Sequence, residues 1–340
     1  MNAIYTNQST RENLDLLYAQ ARVYDRVKNW NRLNFLFSII VPLLLSFVTV
    51  YNRSREFVDS ELLSSLLGLY GLLVLTFNIV ISGHISALRR KAASIQEMYD
   101  CRVLGIRRNE LKVEEIPRDD IIREAAYFRD SPEKARKRFG EEGWYVSKVY
   151  DAPQAVMALL CHGKNLGWDK SLREVLHVFY LSAFIVSPVA MLVYGIVMKS
   201  GLNEILFYVV FTLPVIRYFL LQFLDNRSSM KRSEKLKKYV EKELSGIRVS
   251  GRAEEEQLGY TLRNIQDEMF AYRASCPPVP NGIQLIMKPK NEQIYVWVNY
   301  RHKELGDTSC EIRHIGNLQQ HLFIKVGDEI TVLPSHKSSK

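Results

Sequence analysis

The sequence has little cysteine, glycine or proline. Only four of its 340 residues are cysteines, none of them paired at the short spacing typical of a metal site, which excludes a disulfide framework and suits a reducing cytosol. Its 17 glycines and 11 prolines are no enrichment, while 11% of the residues are aromatic. This composition excludes collagen-like, low-complexity and wholly disordered chains.

The sequence also lacks a phosphate-binding loop, a nucleophile elbow, a paired metal motif and a dinucleotide fingerprint. Cys161 and His162 are adjacent, which does not by itself make a nucleophile and its base, and Cys310 with His314 is half a metal site. Ordinary core or surface positions are expected for these four residues. We therefore predict no catalytic residue, no metal, no cofactor and no enzymatic activity.

Charge is absent from three long apolar runs, residues 33–51, 62–88 and 175–198, and a fourth run, residues 205–224, has one charge, Arg217. A helix that crosses a hydrocarbon layer about 30 Å thick needs roughly 20 apolar residues. Helices suit this layer because no water is present to satisfy an open backbone. Four core helices in two tight pairs would need far more soluble chain to cover them. The runs therefore exclude an ordinary soluble enzyme and predict four transmembrane helices.

Short connections pair these runs into two antiparallel hairpins, which turn at residues 52–61 and 199–204. Basic residues stand at the other ends of the runs: Arg22, Arg26, Lys28, Arg32, Arg89, Arg90, Lys91, Arg227, Lys231, Arg232, Lys235, Lys237 and Lys238. The positive-inside rule places these flanks, both termini and residues 89–174 in the cytosol. Because the N-terminus lacks the pattern of a signal peptide, we expect the first run to remain in the mature protein.

The chain is basic overall, with 46 Lys and Arg against 37 Asp and Glu, a net charge of +9. The basic residues lie beside the apolar runs, which favours contact with the anionic headgroups of a lipid bilayer over DNA. The predicted fold class is a mainly α membrane protein with four transmembrane helices in two hairpins, cytosolic helical regions and a small C-terminal antiparallel β segment.

This layout divides the chain into six segments. They are an N-terminal amphipathic cytosolic helix (1–32), transmembrane hairpin 1 (33–88), a cytosolic helical insert (89–174), transmembrane hairpin 2 (175–224), cytosolic helices with a proline-rich turn (225–287) and a β-rich extension with a disordered tail (288–340).

Apolar spacing predicts the secondary structure of the cytosolic segments. A capping box at Ser9 and Glu12 begins a helix over 10–32, which either lies on the membrane or packs on the cytoplasmic core. The second transmembrane helix is expected to continue past the bilayer. Further helices are predicted at 119–128, 131–139 and 153–161 and on both sides of a break at 246–251. Alternation predicts strands at 294–298, 311–315, 321–326 and 329–333.

Three polar residues inside the runs are candidates for a pore or gate, namely Asn78, His84 and Arg217. A structural role, without any pore or gate, also stays open for these residues. Arg217 lies eight residues before Asp225, about 12 Å along a helix, so its side chain can also snorkel to the cytoplasmic headgroups. Asn78 and the serines near it can instead make interhelical hydrogen bonds. A pore lined by these residues would need several copies of the chain.

Five stretches resemble the SMODS-associating four-transmembrane effectors, over roughly residues 10–287 and including the order of the four runs. They are Lys91 to Ile106, Asn109 to Val113, Cys161 to Glu174, Ile265 to Phe270 and Arg273 to Pro280. Two positions differ from the family pattern: Asn281-Gly282 replaces an expected Asp-Trp, and Arg107-Arg108 replaces an expected Pro-Trp. The segment from Lys288 extends the family's usual length.

The resemblance implies a pore-forming effector of a bacterial anti-phage, abortive-infection system, located in the inner membrane as a homo-oligomer. It also implies a signal from a neighbouring nucleotide-second-messenger synthase. A cyclic oligonucleotide would suit five basic residues, Arg107, Arg108, Arg136, Lys137 and Arg138, although such runs are often solvated faces. Two alternatives stay open: a non-pore membrane receptor or adaptor that recruits a cytosolic partner, and a membrane enzyme, for which no polar cluster is visible in the sequence.

Overall fold

The computed structural model describes residues 3–45, 48, 59–140, 144–146, 153–197, 199, 201–250, 255–300, 310–313 and 321–324, and this part of the chain is mainly helical. The helices are α1 (Ile4–Gln8), α2 (Arg11–Phe35, continued by a π-helical turn at Leu36–Ile40), α3 (Ser60–Leu104), α4 (Arg118–Arg129), α5 (Pro132–Phe139), α6 (Gln154–Val197), α7 (Leu202–Ser250), α8 (Glu255–Ser275) and α9 (Asn281–Tyr300). Two short strands follow, β1 (Cys310–Arg313) and β2 (His321–Ile324).

The chain forms two compact units. Unit 1 comprises residues 1–24, 90–174 and 229–340, and unit 2 comprises residues 25–89 and 175–228. The helices α2, α3, α6 and α7 each contribute to both units. The division therefore falls inside long helices, close to the ends of the apolar runs.

The N-terminal part of α2 packs on α4 and α5 inside unit 1. Ala21 forms a buried apolar cluster with Phe128 and Ala135, and the rings of Tyr18 and Phe139 cover it. The Tyr18 ring lies 5.9 Å from that of Phe128 and 5.2 Å from that of Phe139. Of the two interpretations that the sequence allowed for this part of α2, the structure therefore shows packing on the core.

Prolines stand at the starts of α4 and α5, two short helices of unit 1. Pro117 precedes α4, and Pro132 is the first residue of α5, where the missing N–H of proline costs no helical hydrogen bond. Gly140 ends α5 with a φ of 78°. The helices predicted at 119–128 and 131–139 are confirmed to within a residue or two at their N-termini.

Gly105 ends α3 in a conformation that only glycine adopts readily. Its φ is 70°, and the Ile106 N–H donates to the Cys101 carbonyl over 3.0 Å, the six-residue bond of a Schellman motif. A Cβ at this position would lie 2.1 Å from Nε2 of Gln154. We expect Gly105→Ala to destabilise unit 1 by about 1–2 kcal/mol, because a Cβ is strained at positive φ and clashes as well.

Gly259, in the interior of α8, is the matched control. A Cβ added at Gly259 meets nothing within 4 Å, so Gly259→Ala should stabilise the helix by about 0.5–1 kcal/mol. Thermal unfolding of the solubilised chain measures both variants. Equal effects of the same sign would contradict the turn described for Gly105.

Two long helices expose apolar surface. The helical segments Gly68–Leu104 and Gln154–Val197 are long and apolar enough to cross a membrane, and only 17% and 6% of the residues in their most apolar stretches are buried. The core helix of a soluble protein would be mostly buried. In unit 2 the exposed side chains include Leu72, Val80 and Ile196. Lipid is the solvent that suits such faces.

Aromatic pairs hold the helices of unit 2 together. The ring of Phe37 lies 5.5 Å from that of Phe77 on α3, and Phe35 lies 5.1 Å from Tyr218 on α7. On α6, His177 packs 4.7 Å from Phe223 of α7. The α2 segment therefore contacts α3 and α7, and α6 contacts α7.

Three local predictions need correction. Residues 294–298, predicted as a strand, lie within α9, because their apolar residues also fit a helical repeat with Ile283 and Met287 of the same helix. The break predicted at 246–251 begins later, since α7 continues through Ser250. Ser9 makes no capping box: its hydroxyl donates to the Tyr5 carbonyl of α1, a helix that the sequence analysis missed.

The helix predicted at 153–161 and the third apolar run, 175–198, fall in one continuous helix, α6. The second apolar run continues to Leu104 in α3, as predicted. β1 and β2 pair antiparallel, with Cys310 opposite Ile324 and Arg313 opposite His321. β1 overlaps the strand predicted at 311–315 and β2 the one predicted at 321–326, while the β segment as a whole stays a prediction. The strand predicted at 329–333 and most of the turn at 52–61 lie outside the described residues.

Candidate functional site

Two fully buried carboxylates lie on one face of α3 in unit 1. Glu97 and Asp100 are three residues apart, a spacing that places both side chains on the same side of a helix. Their neighbours Ile95, Met98 and Tyr99 are buried as well. A buried charge is tolerated only when it is paired, so the packing of this part of α3 depends on the partners of the two carboxylates.

The helix α8 supplies these partners. Arg263 donates through NH2 to Oε1 of Glu97 over 2.6 Å, and Arg273 donates through NH1 to Oδ2 of Asp100 over 2.5 Å. Gln266, between them in the sequence, donates to Oε2 of Glu97 over 2.5 Å and to Oδ2 of Asp100 over 3.2 Å. We call these five residues the buried ionic network. Its two guanidinium groups balance its two carboxylates.

Tyr145 closes the network from a third segment of chain. Its hydroxyl donates to Oδ1 of Asp100 over 2.5 Å, and its side chain is fully buried. Gln8, at the end of α1, holds the backbone there: its Oε1 accepts from the N–H groups of Tyr145 over 2.9 Å and of Val146 over 3.2 Å. Three parts of the sequence, residues 8, 97–100 and 145, are thus fixed around one carboxylate.

Burial dominates the electrostatics of this network. Burial raises the pKa of Glu97, although the hydrogen bonds from Arg263 and Gln266 favour its charged form and oppose the shift. Burial, together with the nearby charge of Asp100, also raises the pKa of Tyr145 well above its ordinary value, so the phenol keeps its proton and remains a donor. Burial opposes the charge of Arg273, but Asp100 and Tyr145 together outweigh this cost and raise the Arg273 pKa.

Asp267, next to Gln266 on α8, binds the loop that follows α3. Its Oδ2 accepts from Nζ of Lys112 and from Nδ2 of Asn109, both over 2.9 Å, and its Oδ1 lies 2.9 Å from NH2 of Arg263. Partial burial would raise the pKa of Asp267, but the bonds from Lys112 and Asn109 outweigh it and lower the pKa. The loop is therefore fastened to the same helix as the buried ionic network.

A separate ion pair on α6 anchors the start of the proline-rich turn. Arg173 on α6 donates through Nε to Oδ2 of Asp169 over 2.8 Å and lies 2.6 Å from the hydroxyl of Tyr272. The Tyr272 hydroxyl donates to the same carboxylate, and Arg173 NH2 donates to the Pro277 carbonyl over 3.3 Å. Burial opposes the charge of Arg173, but Asp169 and Tyr272 together outweigh this cost and raise the Arg173 pKa.

Cys161 and His162 are core residues, as the sequence analysis expected. Burial raises the pKa of the Cys161 thiol to about 12 and lowers that of His162 to about 4. Neither ring nitrogen of His162 has a hydrogen-bond partner among the described residues. A thiol that keeps its proton and an imidazole without a donor or acceptor nearby form no nucleophile and base pair.

The predicted ligand residues lie at two places in unit 1. Arg107 is exposed and its carbonyl accepts a hydrogen bond from Arg263, while Arg108 donates to the Val113 carbonyl over 3.2 Å. Arg136, Lys137 and Arg138 form the last turn of α5. Arg138 donates to Oδ1 of Asn281 on α9 over 3.3 Å. Thus the first pair neighbours α8, and the second group neighbours α9.

The predicted pore residues lie in unit 2. Oγ of Ser38, in the π-helical continuation of α2, lies 3.1 Å from Oδ1 of Asn78 on α3, the kind of interhelical contact that the sequence left open as an alternative. The His84 ring meets Trp30 of α2 edge-on at 5.2 Å. Arg217 is exposed on α7.

The buried ionic network was not predicted from the sequence, although four of its five residues, all but Arg263, fall in the motif stretches. One local signal was available: Glu97 and Asp100 lie among the apolar residues Ile95, Met98 and Val103 of α3, and charges in such a position indicate burial with a partner. No local signal identifies the partners, which are more than 160 residues away in the chain. Among the described residues, no three His, Cys, Asp or Glu side chains are grouped as a metal site.

These features define a membrane-type helical protein: two long helices with exposed apolar faces, and a polar unit whose charges are paired in its core. The chain belongs to the family of the SMODS-associating 4TM effector domain, whose family model matches residues 2–296. It is 23% identical over 308 residues to a probable CBASS effector molecule from Bacillus cereus (strain VD146), an alignment that covers 86% of this chain and 96% of that protein. No solved structure matches it. The family that the motifs predicted is thus confirmed.

Proposed function

We propose that the protein is an anti-phage effector that permeabilises the bacterial inner membrane when unit 1 receives a cytosolic signal. The observation that carries this proposal is the exposure of apolar side chains along α3 and α6 in unit 2. The family is one of effector domains, and the relative's name describes a probable CBASS effector. Exposed apolar helices and an effector role together favour action on the membrane itself.

The proposed topology has four membrane-spanning helices in two hairpins, at 33–51 with 62–88 and at 175–198 with 205–224, and both termini in the cytosol. The first segment begins in α2, and the fourth lies in α7. Basic residues flank all of them on one side, which supports this orientation. Little chain is left outside the cell, so unit 1 is the part suited to receive an internal signal.

The proposed signal is a cyclic oligonucleotide made by a neighbouring nucleotidyltransferase. Its phosphates would suit Arg107 and Arg108 beside α8, or Arg136, Lys137 and Arg138 on α5. Arg107 and Arg108 are the better placed to transmit binding, because Arg263 both donates to the Arg107 carbonyl and pairs with Glu97 on α3. A ligand that binds one arrangement of this loop more tightly than another would shift the equilibrium of α3.

The proposed pore is an oligomer of this chain. Asn78, His84 and Arg217 are the polar residues of unit 2 that could line it or gate it. In the single chain Asn78 and His84 contact α2, so opening would have to rearrange the contacts with Ser38 and Trp30. Arg217 is exposed and could face a neighbouring copy or an aqueous path.

Purified full-length protein in liposomes of bacterial lipid should release a trapped dye or ions when the matching cyclic oligonucleotide is added. The physical reason is that binding to unit 1 favours the open arrangement of the spanning helices. Dye fluorescence and ion flux are measured with a panel of cyclic oligonucleotides, in parallel with protein-free vesicles. Arg107→Gln with Arg108→Gln should shift the response to higher ligand concentration, whereas Arg118→Gln with Arg123→Gln, on α4, should leave it unchanged.

Two outcomes decide against this proposal. If the protein binds the signal but releases neither dye nor ions, and expression in cells leaves the membrane potential intact, the chain acts as a receptor or adaptor and makes no pore. In that case deletion of residues 288–340 is the variant that tests recruitment of a cytosolic partner. If a substrate is turned over at the membrane surface, the protein is an enzyme.

A further inference from the structure

The first half of α9 exposes apolar side chains outside the four predicted spans. Leu285 is 55% and Ile286 is 76% exposed, adjacent residues of a helix in unit 1. Isolated exposed leucines are common on protein surfaces, but here two large aliphatic side chains are neighbours, with exposed Gly282 one turn before Leu285 and Ile286. Among the residues that the structure describes, this face of α9 therefore has no cover.

Basic residues surround this apolar pair. Lys288 and Lys290 follow it on α9, and the last turn of α5 contributes Arg136, Lys137 and Arg138. Two contacts place that turn beside α9: Lys288 Nζ donates to the Lys137 carbonyl over 3.1 Å, and Arg138 donates to Asn281 over 3.3 Å. Residues 281–290 contain no Asp or Glu. We call these seven residues (136–138, 285, 286, 288 and 290) the basic apolar patch.

The basic apolar patch matches the chemistry of an anionic phospholipid surface. Anionic phospholipid headgroups attract lysine and arginine, and aliphatic side chains enter the boundary between headgroups and acyl chains. A free phosphate ligand would account for the five basic residues but not for the exposed Leu285 and Ile286. A soluble protein partner would need acidic residues of its own, whereas an anionic bilayer presents charge and apolar depth together.

We propose that the basic apolar patch docks unit 1 on the anionic headgroup surface of the membrane. The proposal rests on the membrane location given under Proposed function, and it adds a second, peripheral attachment made by α5 and α9. It also gives Arg136, Lys137 and Arg138 a lipid partner, which leaves Arg107 and Arg108 as the candidates for the soluble signal. Electrostatic docking weakens as salt screens the charges.

A polarity-sensitive fluorophore on single cysteines of the full-length reconstituted protein tests this proposal. Three native cysteines are buried, so replacing Cys310 with serine leaves a suitable background. In anionic vesicles a label at Ile286→Cys should emit at shorter wavelength and be quenched by spin-labelled lipid. Neutral vesicles or high salt should remove both effects. The patch variant Lys137→Gln with Lys290→Gln should reduce lipid quenching several-fold.

Two further labels make the possible failures distinguishable. Leu111→Cys lies at a 99% exposed apolar residue with acidic neighbours, Glu110, Glu114 and Glu115, and should stay in water in every vesicle. Leu72→Cys lies in a proposed span and should be quenched by lipid in every vesicle. If Leu72 is quenched and Ile286 is reached only by an aqueous quencher, docking is overturned while the membrane location stands. If Leu72 escapes lipid, the membrane location itself fails.

Charge and protein contacts have their own controls. Arg118→Gln with Arg123→Gln removes the same net charge from exposed positions of α4, and should leave the Ile286 signal as it is. The label at position 286 could instead emit at shorter wavelength in every vesicle and escape the lipid quencher. This result would overturn docking and would identify a second copy of the chain as the cover of α9.

Discussion

Arg273→Met is expected to destabilise unit 1 by about 3–5 kcal/mol, because it leaves the fully buried Asp100 without its cationic partner. Methionine fills a similar volume, so the loss of charge rather than a cavity causes the effect. Hydrogen–deuterium exchange of the amides of α8, read by mass spectrometry on the solubilised chain, measures the change in opening free energy.

An exposed ion pair between α7 and α8 is the matched control. Arg232 and Glu268 approach within 3.3 Å, but both are exposed, and exposed pairs contribute about 0–1 kcal/mol. Arg232→Met should therefore leave the exchange of α8 nearly unchanged. An equal effect of Arg232→Met and Arg273→Met would contradict the buried pairing of Arg273 with Asp100.

Removing both charges should restore most of the stability. In Asp100→Leu with Arg273→Met no unpaired charge remains, and buried pairs replaced by apolar residues are often neutral or stabilised. The Tyr145 hydroxyl then loses its acceptor, at a cost of about 1–3 kcal/mol. Adding Tyr145→Phe should recover that part, so the triple variant should be more stable than the double variant. A triple variant as unstable as Arg273→Met alone would show that the effect is one of packing.

Part of the fold could be predicted because its signals are local. The short helix after Pro117 was predicted close to its observed bounds, and the second and third apolar runs fall in the two helices that, among the described residues, are long and apolar enough to cross a membrane. These features depend on the residues within a turn or two. The same reasoning misassigned residues 294–298, because alternating apolar residues in a short segment are compatible with either a strand or one face of a helix.

The buried ionic network could not be predicted, because its contacts join residues that are far apart in the sequence. Glu97 meets Arg263 through a contact between residues 166 positions apart, and a single sequence contains no measure of which basic residue is the partner. The charges that could be seen in runs, Arg136 to Arg138, lie at the surface, whereas Arg263 and Arg273 are isolated in otherwise mixed helices. The basic runs were therefore chosen as candidate site residues, although they are exposed. The basic residues that the fold buries are isolated in the sequence.

Acidification is expected to weaken unit 1 through His162, by roughly 3 kcal/mol between about pH 7 and pH 4. The His162 pKa falls from 6.5 to about 4 because of burial, and Arg273 and Arg263 add to this shift while Asp100 opposes it. Between about pH 6.5 and pH 4 the His162 side chain is therefore protonated in the unfolded chain and neutral in the folded chain. The contribution of neutral His162 to stability is fully present above about pH 6.5 and is lost as the pH falls toward about 4.

Protonation of Glu97 changes the stability in the opposite direction as the pH falls toward 4.5. Its pKa is raised in the folded chain, so the folded state takes up a proton first, and a fall in pH toward the ordinary value of 4.5 adds stability. The two groups therefore partly cancel in the wild type. A difference measurement is needed to separate them, and a variant that removes only the titration of His162 provides it.

His162→Gln is that variant, because glutamine is polar, uncharged and of similar size. Exchange of the amides of α6 and α8, corrected for intrinsic rates, gives the opening free energy of each protein from pH 4 to 8. The stability of the variant relative to the wild type should rise by roughly 3 kcal/mol as the pH falls through this window, since only the wild type must keep a buried imidazole neutral. Parallel curves for His162→Gln and wild type would instead mean that His162 is hydrated or protonated in the folded chain.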